Sequence, residues 1–292
     1  MRLLFRNATR QFRRLLWLSA GMLLAFVPAW AQTDNPPIRI GMPTSLFSMQ
    51  YTLIADWRAY LSSKLKRPVE MVLNRRFSNS TVQLYVDKID FAWVMDYPDV
   101  HLRNNVRLLA VPLSKGRPYF TSYLIVPAYN DKTTSLLQLK GAVFAFSDAG
   151  QNGSSLEVRY QLHAAGEDPA QFFSKIIYTR SHREVIKAVA LGLAHAGEVD
   201  SITWDSLAKA HPELAAQTRI VAKSHEYGAP PFVVNHFVGQ ENSKAMMEVL
   251  MDMASDPKGV ELLNRMGLDG FIPGDEKIYE RTIKMRQILD GE

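Results

Sequence analysis

EDPAQFFSKIIYTRSHREVIKAVALGLAHAGEVDSITWDSL, residues 167–207, sets the pattern of the chain. Its KIIY run (175–178) is short, apolar and rich in β-branched residues, which predicts a strand. Residues 184–194 follow with apolar positions at helical spacing, and SITW (201–204) reads as a further strand. Strand, helix and strand in succession predict an α/β architecture with mostly parallel sheets.

The same alternation extends outward in both directions. Residues 38–42 predict a strand, and Leu53, Ile54, Trp57, Leu61 and Leu65 recur at helical spacing until Pro68 stops them. Strands are expected at 69–73, 91–94, 120–127 and 142–146, with helices at 78–88 and 156–165 and a helical turn at 136–140. Gly166 closes the second of those helices. Beyond the central segment, 220–222 and 232–235 are strand-like, and 245–264 carries one long helical periodicity. Two stretches look like crossings between lobes: 116–127, and 224–235 with Gly228, Pro230 and Pro231. The expected division is residues 32–123 plus 230–292 as one lobe and 124–229 as the other.

Residues 1–31 have the form of a secretory signal. Arg2, Arg6, Arg10, Arg13 and Arg14 precede a short apolar run, LLWLSAGMLLAFV, and Ala29-Trp30-Ala31 places small residues where a signal peptidase cuts. Cleavage after Ala31 and a periplasmic location are the expectation. The signal also carries the excess charge. The chain has 34 basic and 29 acidic residues, net +5, and five of the arginines and none of the acids lie in it. The remainder has no net charge, so no basic footprint for nucleic acid remains. There is no cysteine, which excludes disulfides, thiolate catalysis and cysteine-bound metals. His101, His163, His195, His211, His225 and His236 are scattered, no H-E-x-x-H occurs, and neither a Walker A nor a dinucleotide fingerprint is present. No metal or cofactor is expected.

Six stretches together resemble one family: IRIGMP, IDFAWVMDYPDV, GRPYFTSYLIVP, LLQLKGAVFAFSDAG, the central segment, and GLDGFIPGDEKIY. They are similar to the periplasmic phosphate, phosphite and phosphonate-binding proteins of ATP-binding-cassette transporters. The resemblance implies a two-lobed type II periplasmic-binding fold, with two crossing strands and a ligand in the central cleft. It implies a binding protein, not an enzyme, that works as a monomer and presents a small anion or zwitterion to a membrane permease. A membrane sensor kinase is the alternative partner.

Open α/β sheets bind ligands beyond the carboxyl ends of their strands, and five junctions are candidates. DAGQNGSS (148–155) leads directly into a helix, whose free N–H groups suit an anion. Gln151, Asn152, Gly153, Ser154 and Ser155 supply amide and hydroxyl donors there. Family members carry a more hydroxyl-rich loop of the type DPGSTSG, so the position of the site carries over better than the identity of the ligand. Ser181 and Glu184 form a capping box pattern, and His182 matches a family histidine that faces the ligand. Asp205, placed after the expected SITW strand, matches a family aspartate that would accept a hydrogen bond from a protonated oxyanion; a helix N-cap is the plain alternative. Tyr97 lies near the family's cleft tyrosine. Asp96 and Asp99 beside it either face solvent or receive a cationic ligand group, as in an aminoalkylphosphonate. Thr44 and Ser45 offer hydroxyls before the first helix, and Trp204 reads as core. A hydrolase built on Ser154, His182 and Asp205 is the alternative of another class, although no G-x-S-x-G elbow surrounds Ser154.

Overall fold

Ile38, Ile40 and Met42 alternate along the first strand, β1 (Ile38–Pro43), and all three are buried. They meet Leu53, Trp57 and Leu61 of helix α1 (Tyr51–Leu65), which are 0–1 % exposed. Removing one such side chain from water is worth about 1.5–3 kcal/mol. The computed structural model describes residues 36–43, 51–74, 88–94, 97, 106–147 and 155–291. The chain separates into Met1–Pro36 and Pro37–Glu292, and only the second unit is considered below. The signal segment, the expected helix at 78–88 save Lys88, and Asp96 and Asp99 lie outside the described residues.

Two sheets form. The first contains β1, β2 (Val69–Asn74), β3 (Phe91–Trp93), β4 (Val106–Leu113), β10 (Phe232–Asn235) and β11 (Gly270–Pro273), in the order β11-β4-β10-β3-β1-β2. The second contains β5 (Tyr119–Pro127), β6 (Val143–Phe146), β7 (Lys175–Tyr178), β8 (Ala196–Asp200) and β9 (Thr218–Gly228), in the order β7-β6-β8-β5-β9. Both are mixed, a correction to the expected mostly parallel sheets. β1 runs parallel to β2 and β3, and β6 parallel to β7 and β8, whereas every pairing of β4, β5, β9, β10 and β11 is antiparallel.

The remaining helices are α2 (Ser155–Ala164), α3 (Pro169–Phe172), α4 (His182–Ala190), α5 (Ser201–Ala210), α6 (Pro212–Ala215), α7 (Gln240–Asp252), α8 (Pro257–Met266) and α9 (Glu280–Asp290). α2 covers one face of the second sheet, where Phe144 stacks on Phe173 with centroids 4.4 Å apart. α4 covers the other through Val185, Ile186 and Val189. Met285 of α9 packs with Leu156 and Tyr227, so the C-terminal helix reaches the second sheet and its helix α2.

Three expectations require correction. SITW is not a strand: it opens α5, and the strand is the preceding AGEVD, whose first four residues are buried. Asp200 decides this, because its carboxylate accepts from Thr203 N at 2.6 Å and caps the helix. The helical periodicity at 245–264 resolves into two helices, because Pro257 cannot sit in a helix interior and instead takes the first turn of α8 behind the Asp256 cap. β4 was not anticipated, and it contains Pro112, a residue that disfavours a central strand. Pro112 lies beyond the last residue that pairs with β10, Ala110, in the half of β4 flanked by β11 alone.

Candidate functional site

Three parallel strands of the second sheet end at a common edge, and each is followed by a helix. β6 leads through Ser147 toward α2, β7 leads through Thr179-Arg180-Ser181 into α4, and β8 passes directly into α5. The starts of three helices therefore lie along one edge, each with the positive end of a helix dipole.

Local chemistry sets each junction. Thr179 N donates to Phe146 O at 2.9 Å, and its hydroxyl proton is shared between Phe146 O at 3.2 Å and Ser181 O at 3.0 Å, tying the ends of β6 and β7 together. Arg180 takes φ 72°, the left-handed turn that re-aims the chain into α4. Ser181 Oγ accepts from Glu184 N at 3.3 Å, one half of the expected capping box. The Glu184 carboxylate pairs with Lys187 at 2.6 Å instead of returning to Ser181.

His182 is held against the end of β8. Its Nδ1 accepts from Asp200 N at 3.3 Å, and its Nε2 lies 3.3 Å from Asp200 Oδ2. With Nδ1 accepting, Nε2 is the ring nitrogen that faces the Asp200 carboxylate. Asp200 also accepts from Thr203 Oγ1 at 2.7 Å. One carboxylate thus caps α5 and orients the histidine of α4. Sequence reasoning missed Asp200 because the strand was placed four residues late. The aspartate three residues ahead of Thr203, at the mouth of an amphipathic run, is the cap signal that identifies it.

The other predicted residues fall into separate places. Ser155 opens α2 and is buried at the same edge. Asp205 is neither after a strand nor an N-cap: it occupies the second turn of α5, where its carboxylate receives Lys115 Nζ at 2.7 Å and the Tyr123 hydroxyl at 3.4 Å. Lys115 belongs to the tight turn between β4 and β5. In it Ser114 and Arg117 exchange backbone hydrogen bonds, and Lys115 (φ 54°) and Gly116 (φ 72°) supply two left-handed positions. Arg117 is bidentate on Glu226 of β9 at 2.6 and 2.7 Å, and Gly116 N donates to Asp269 Oδ2 at 2.6 Å. Asp205 therefore ties α5 to the first crossing. Tyr97 is 2 % exposed, with its ring 4.5 Å from Tyr279 and its hydroxyl 3.5 Å from Glu276 Oε1. Burial, with the Glu276 charge, raises its phenol above the ordinary range. Trp204 packs edge-on to Tyr123 in the second sheet's core, as expected. Gln151, Asn152, Gly153, Ser154, Thr44 and Ser45 lie outside the described residues.

This arrangement disposes of the described half of the hydrolase alternative. A triad needs His182 on Asp205, but His182 is engaged by Asp200 and Asp205 by Lys115. Among the described residues no cluster of three or more His, Asp or Glu is placed to hold a metal.

Residues 41–279 match the family model of the ABC transporter phosphonate periplasmic substrate-binding protein. The chain belongs to this family. As a phosphonate-family binding protein it is an extracytoplasmic component that works with the membrane parts of an ABC transporter and takes a small anionic ligand. Solved structures agree at the level of fold. A binding-protein component of a phosphonate ABC transporter from Pseudomonas aeruginosa superposes with a TM-score of 0.77 at 19% identity, covering 88% of this chain and 87% of that one. PhnD1 from Prochlorococcus marinus, solved with methylphosphonate, gives a TM-score of 0.74 at 17% identity, covering 87% and 98%. A Xanthomonas citri protein solved with ATP gives 0.73 at 19% identity, covering 87% and 98%. No curated protein matches the sequence.

Proposed function

We propose that this protein captures a phosphonate- or phosphite-like oxyanion in the periplasm, after cleavage behind Ala31, and delivers it as a monomer to a permease. The observation that carries the reading is the shared edge of β6, β7 and β8, where α2, α4 and α5 begin. Helix N–H groups and the Ser155 hydroxyl supply donors there. Gln151, Asn152, Gly153 and Ser154, which precede α2 in the sequence, and Thr44 and Ser45, which follow β1, are assigned to the same donor set on the strength of the family resemblance. His182, locked by Asp200, presents its ring beside them. Asp205 and Tyr97 flank the site, and Lys115 offsets the Asp205 charge so that an anion is tolerated nearby. Residues 32–123 with 230–292 act as one lobe and 124–229 as the other. Ligand closes them about the two crossings.

The departure of Gln151, Asn152 and Gly153 from the family's hydroxyl-rich loop favours one second reading, in which the same clamp reports its ligand to a membrane sensor kinase. Thermal unfolding against phosphate, phosphite, methylphosphonate, 2-aminoethylphosphonate and sulfate tests the ligand class. A ligand at 100 times its dissociation constant adds about 2.7 kcal/mol, or roughly 5–10 °C. A shift with one phosphorus anion and none with sulfate, reduced in Asp205→Asn, is the expected result. No shift with any of them removes phosphorus anions as ligands.

A further inference from the structure

Beneath α2, on the face of the second sheet that it covers, lies a small pocket with two carboxyl groups in its wall: Glu198 of β8, and Glu157, the third residue of α2. They are 2 % and 9 % exposed. Each has one oxygen satisfied: Ser122 Oγ donates to Glu198 Oε1, and Gln161 Nε2 donates to Glu157 Oε1 at 2.6 Å. In each the second oxygen, Oε2, is buried with no hydrogen-bond partner. The cavity they line, about 20 Å³, takes one water.

Among the described residues no cation faces the pair. β5 and β9 present Ser122, Leu124, Ala222 and Ser224. The Ser224 hydroxyl is committed, donating to His225 O at 2.6 Å and accepting from Ser122 N at 2.8 Å. Lys223 borders the pocket, but its ammonium lies 5.0 Å over the Tyr123 ring, and Tyr123 alternates with Ser122 and Leu124 onto the opposite face. β6 adds only Phe144 and Phe146 on this face, the turn at Leu136–Leu139 adds Leu136, and α9 meets α2 through Met285 on Leu156. Two ionised carboxylates in such a cavity repel each other and lack water, so burial favours a proton on one of them. Burial drives the Glu198 carboxyl well above its ordinary range, with Ser122 opposing and Glu157 and Asp200 adding to the rise. A proton on Glu198 Oε2 can be donated to a water in the cavity, and that water can donate to Glu157 Oε2, which uses both oxygens.

The pair stands directly behind the edge where the anion is placed. Ser155, two residues before Glu157, opens α2 there, and Asp200, two residues after Glu198, caps α5 and engages His182. We propose that the pair is a proton-operated switch: with one proton between the two carboxyls α2 stays seated on the sheet, and loss of that proton lifts α2 and weakens anion capture. The seating of α2 depends on the pocket alone, whereas the effect on capture rests on the anion reading given above. An ionised Glu198 faces Glu157 with no counter-ion, and the repulsion is relieved when α2 moves off and water enters. The added negative charge behind the edge also opposes an anionic ligand, so both effects have one sign. By linkage, a bound anion in turn makes the proton harder to remove.

The raised Glu198 carboxyl sets the direction in the free protein. The folded state binds the proton more tightly than the unfolded one, so this stabilisation is complete below the ordinary carboxyl range and is lost as pH rises toward the folded value. Amide exchange of residues 155–164 tests the seating, in the purified protein without ligand, corrected for intrinsic rate and followed from about pH 5 to about pH 9. Protection of α2 should fall with pH in the wild type. It should stay level in Glu198→Gln, whose amide does not ionise and still accepts from Ser122. Glu157→Gln, which removes the repelling charge, should lessen the fall. The same pH dependence in the wild type and both variants would overturn the switch. Methylphosphonate titration at each pH tests the coupling, because the ratio of Glu198→Gln to wild-type affinity cancels the ligand's own ionisation. That ratio should be close to one at the acid end and rise to about fivefold or more at the alkaline end. A ratio that stays at one while α2 loses protection would overturn the coupling. Failure of methylphosphonate to bind at any pH would count against the anion reading instead, and the exchange profiles would still decide the switch.

Discussion

Among the described residues, Asp200 ties two helices together at the edge proposed for the anion. It caps α5 through Thr203 N and Oγ1 and engages both nitrogens of His182. Its loss removes a cap, worth about 0.5–2 kcal/mol, and takes the carboxylate from His182 Nε2, leaving the imidazole held by the backbone N–H alone. Asp200→Ala should therefore lower the urea midpoint by an amount equivalent to about 1–2 kcal/mol, and weaken anion binding through a His182 that is less firmly held. Asp200→Asn, which still caps, should lose less stability; equal losses in the two variants would show that the cap is not what the residue supplies. The neighbouring Asp205 is of another kind. Its pair with Lys115 is solvent-exposed on the lysine side, at 78 %, and such pairs contribute about 0–1 kcal/mol. Asp205→Ala should therefore change stability by no more than about 1 kcal/mol.

At the scale of elements, the second crossing is clamped where β9 ends. A Cβ on Gly228 would lie 2.5 Å from Tyr279 Cε1 and 2.6 Å from Ile278 Cγ2. Tyr279 cannot yield freely, because its hydroxyl donates to Ala229 O at 2.6 Å and its ring packs on Tyr97. Gly228→Ala should cost about 1–3 kcal/mol by overpacking, read as a fall in the denaturant midpoint. An unchanged midpoint would mean that the Glu276–Tyr279 turn moves aside without loss. The strand errors belong to this scale too. Ile202 and Trp204 have strand propensity, but a capped helix start satisfies backbone N–H groups that an isolated SITW strand would leave to other partners. The true strand carries Glu198 in its middle, and a buried acid is the feature that pattern reading penalises most.

At the scale of the molecule, separate sets of hydrophobic clusters form on the two sheets, and the chain passes between the sheets at the Ser114–Arg117 turn and at residues 228–232. α9 adds a third tie, through Met285 to Leu156 and Tyr227. A clamp of this build should close on its ligand. Small-angle scattering should then show a smaller radius of gyration with a saturating phosphorus anion than without, and an unchanged radius would confine the ligand's effect to one lobe.

The α/β class, most strands of both sheets, the helix faces and the family were legible in residue order. They depend on local periodicity and on contiguous motifs, which a linear chain displays directly. The charge balance and the absence of cysteine were equally plain. Other features depend on residues far apart in the chain, and only the tertiary structure decided them. Pro112 is tolerated in β4 because β10 stops short of it. Asp205 is matched by Lys115, 90 positions away, across a turn whose geometry no periodicity signals. Glu157 and Glu198 line one cavity only because α2 lies over β8. Periodicity records which face a residue presents, whereas pairing, charge compensation and cavities depend on what the fold brings to meet it.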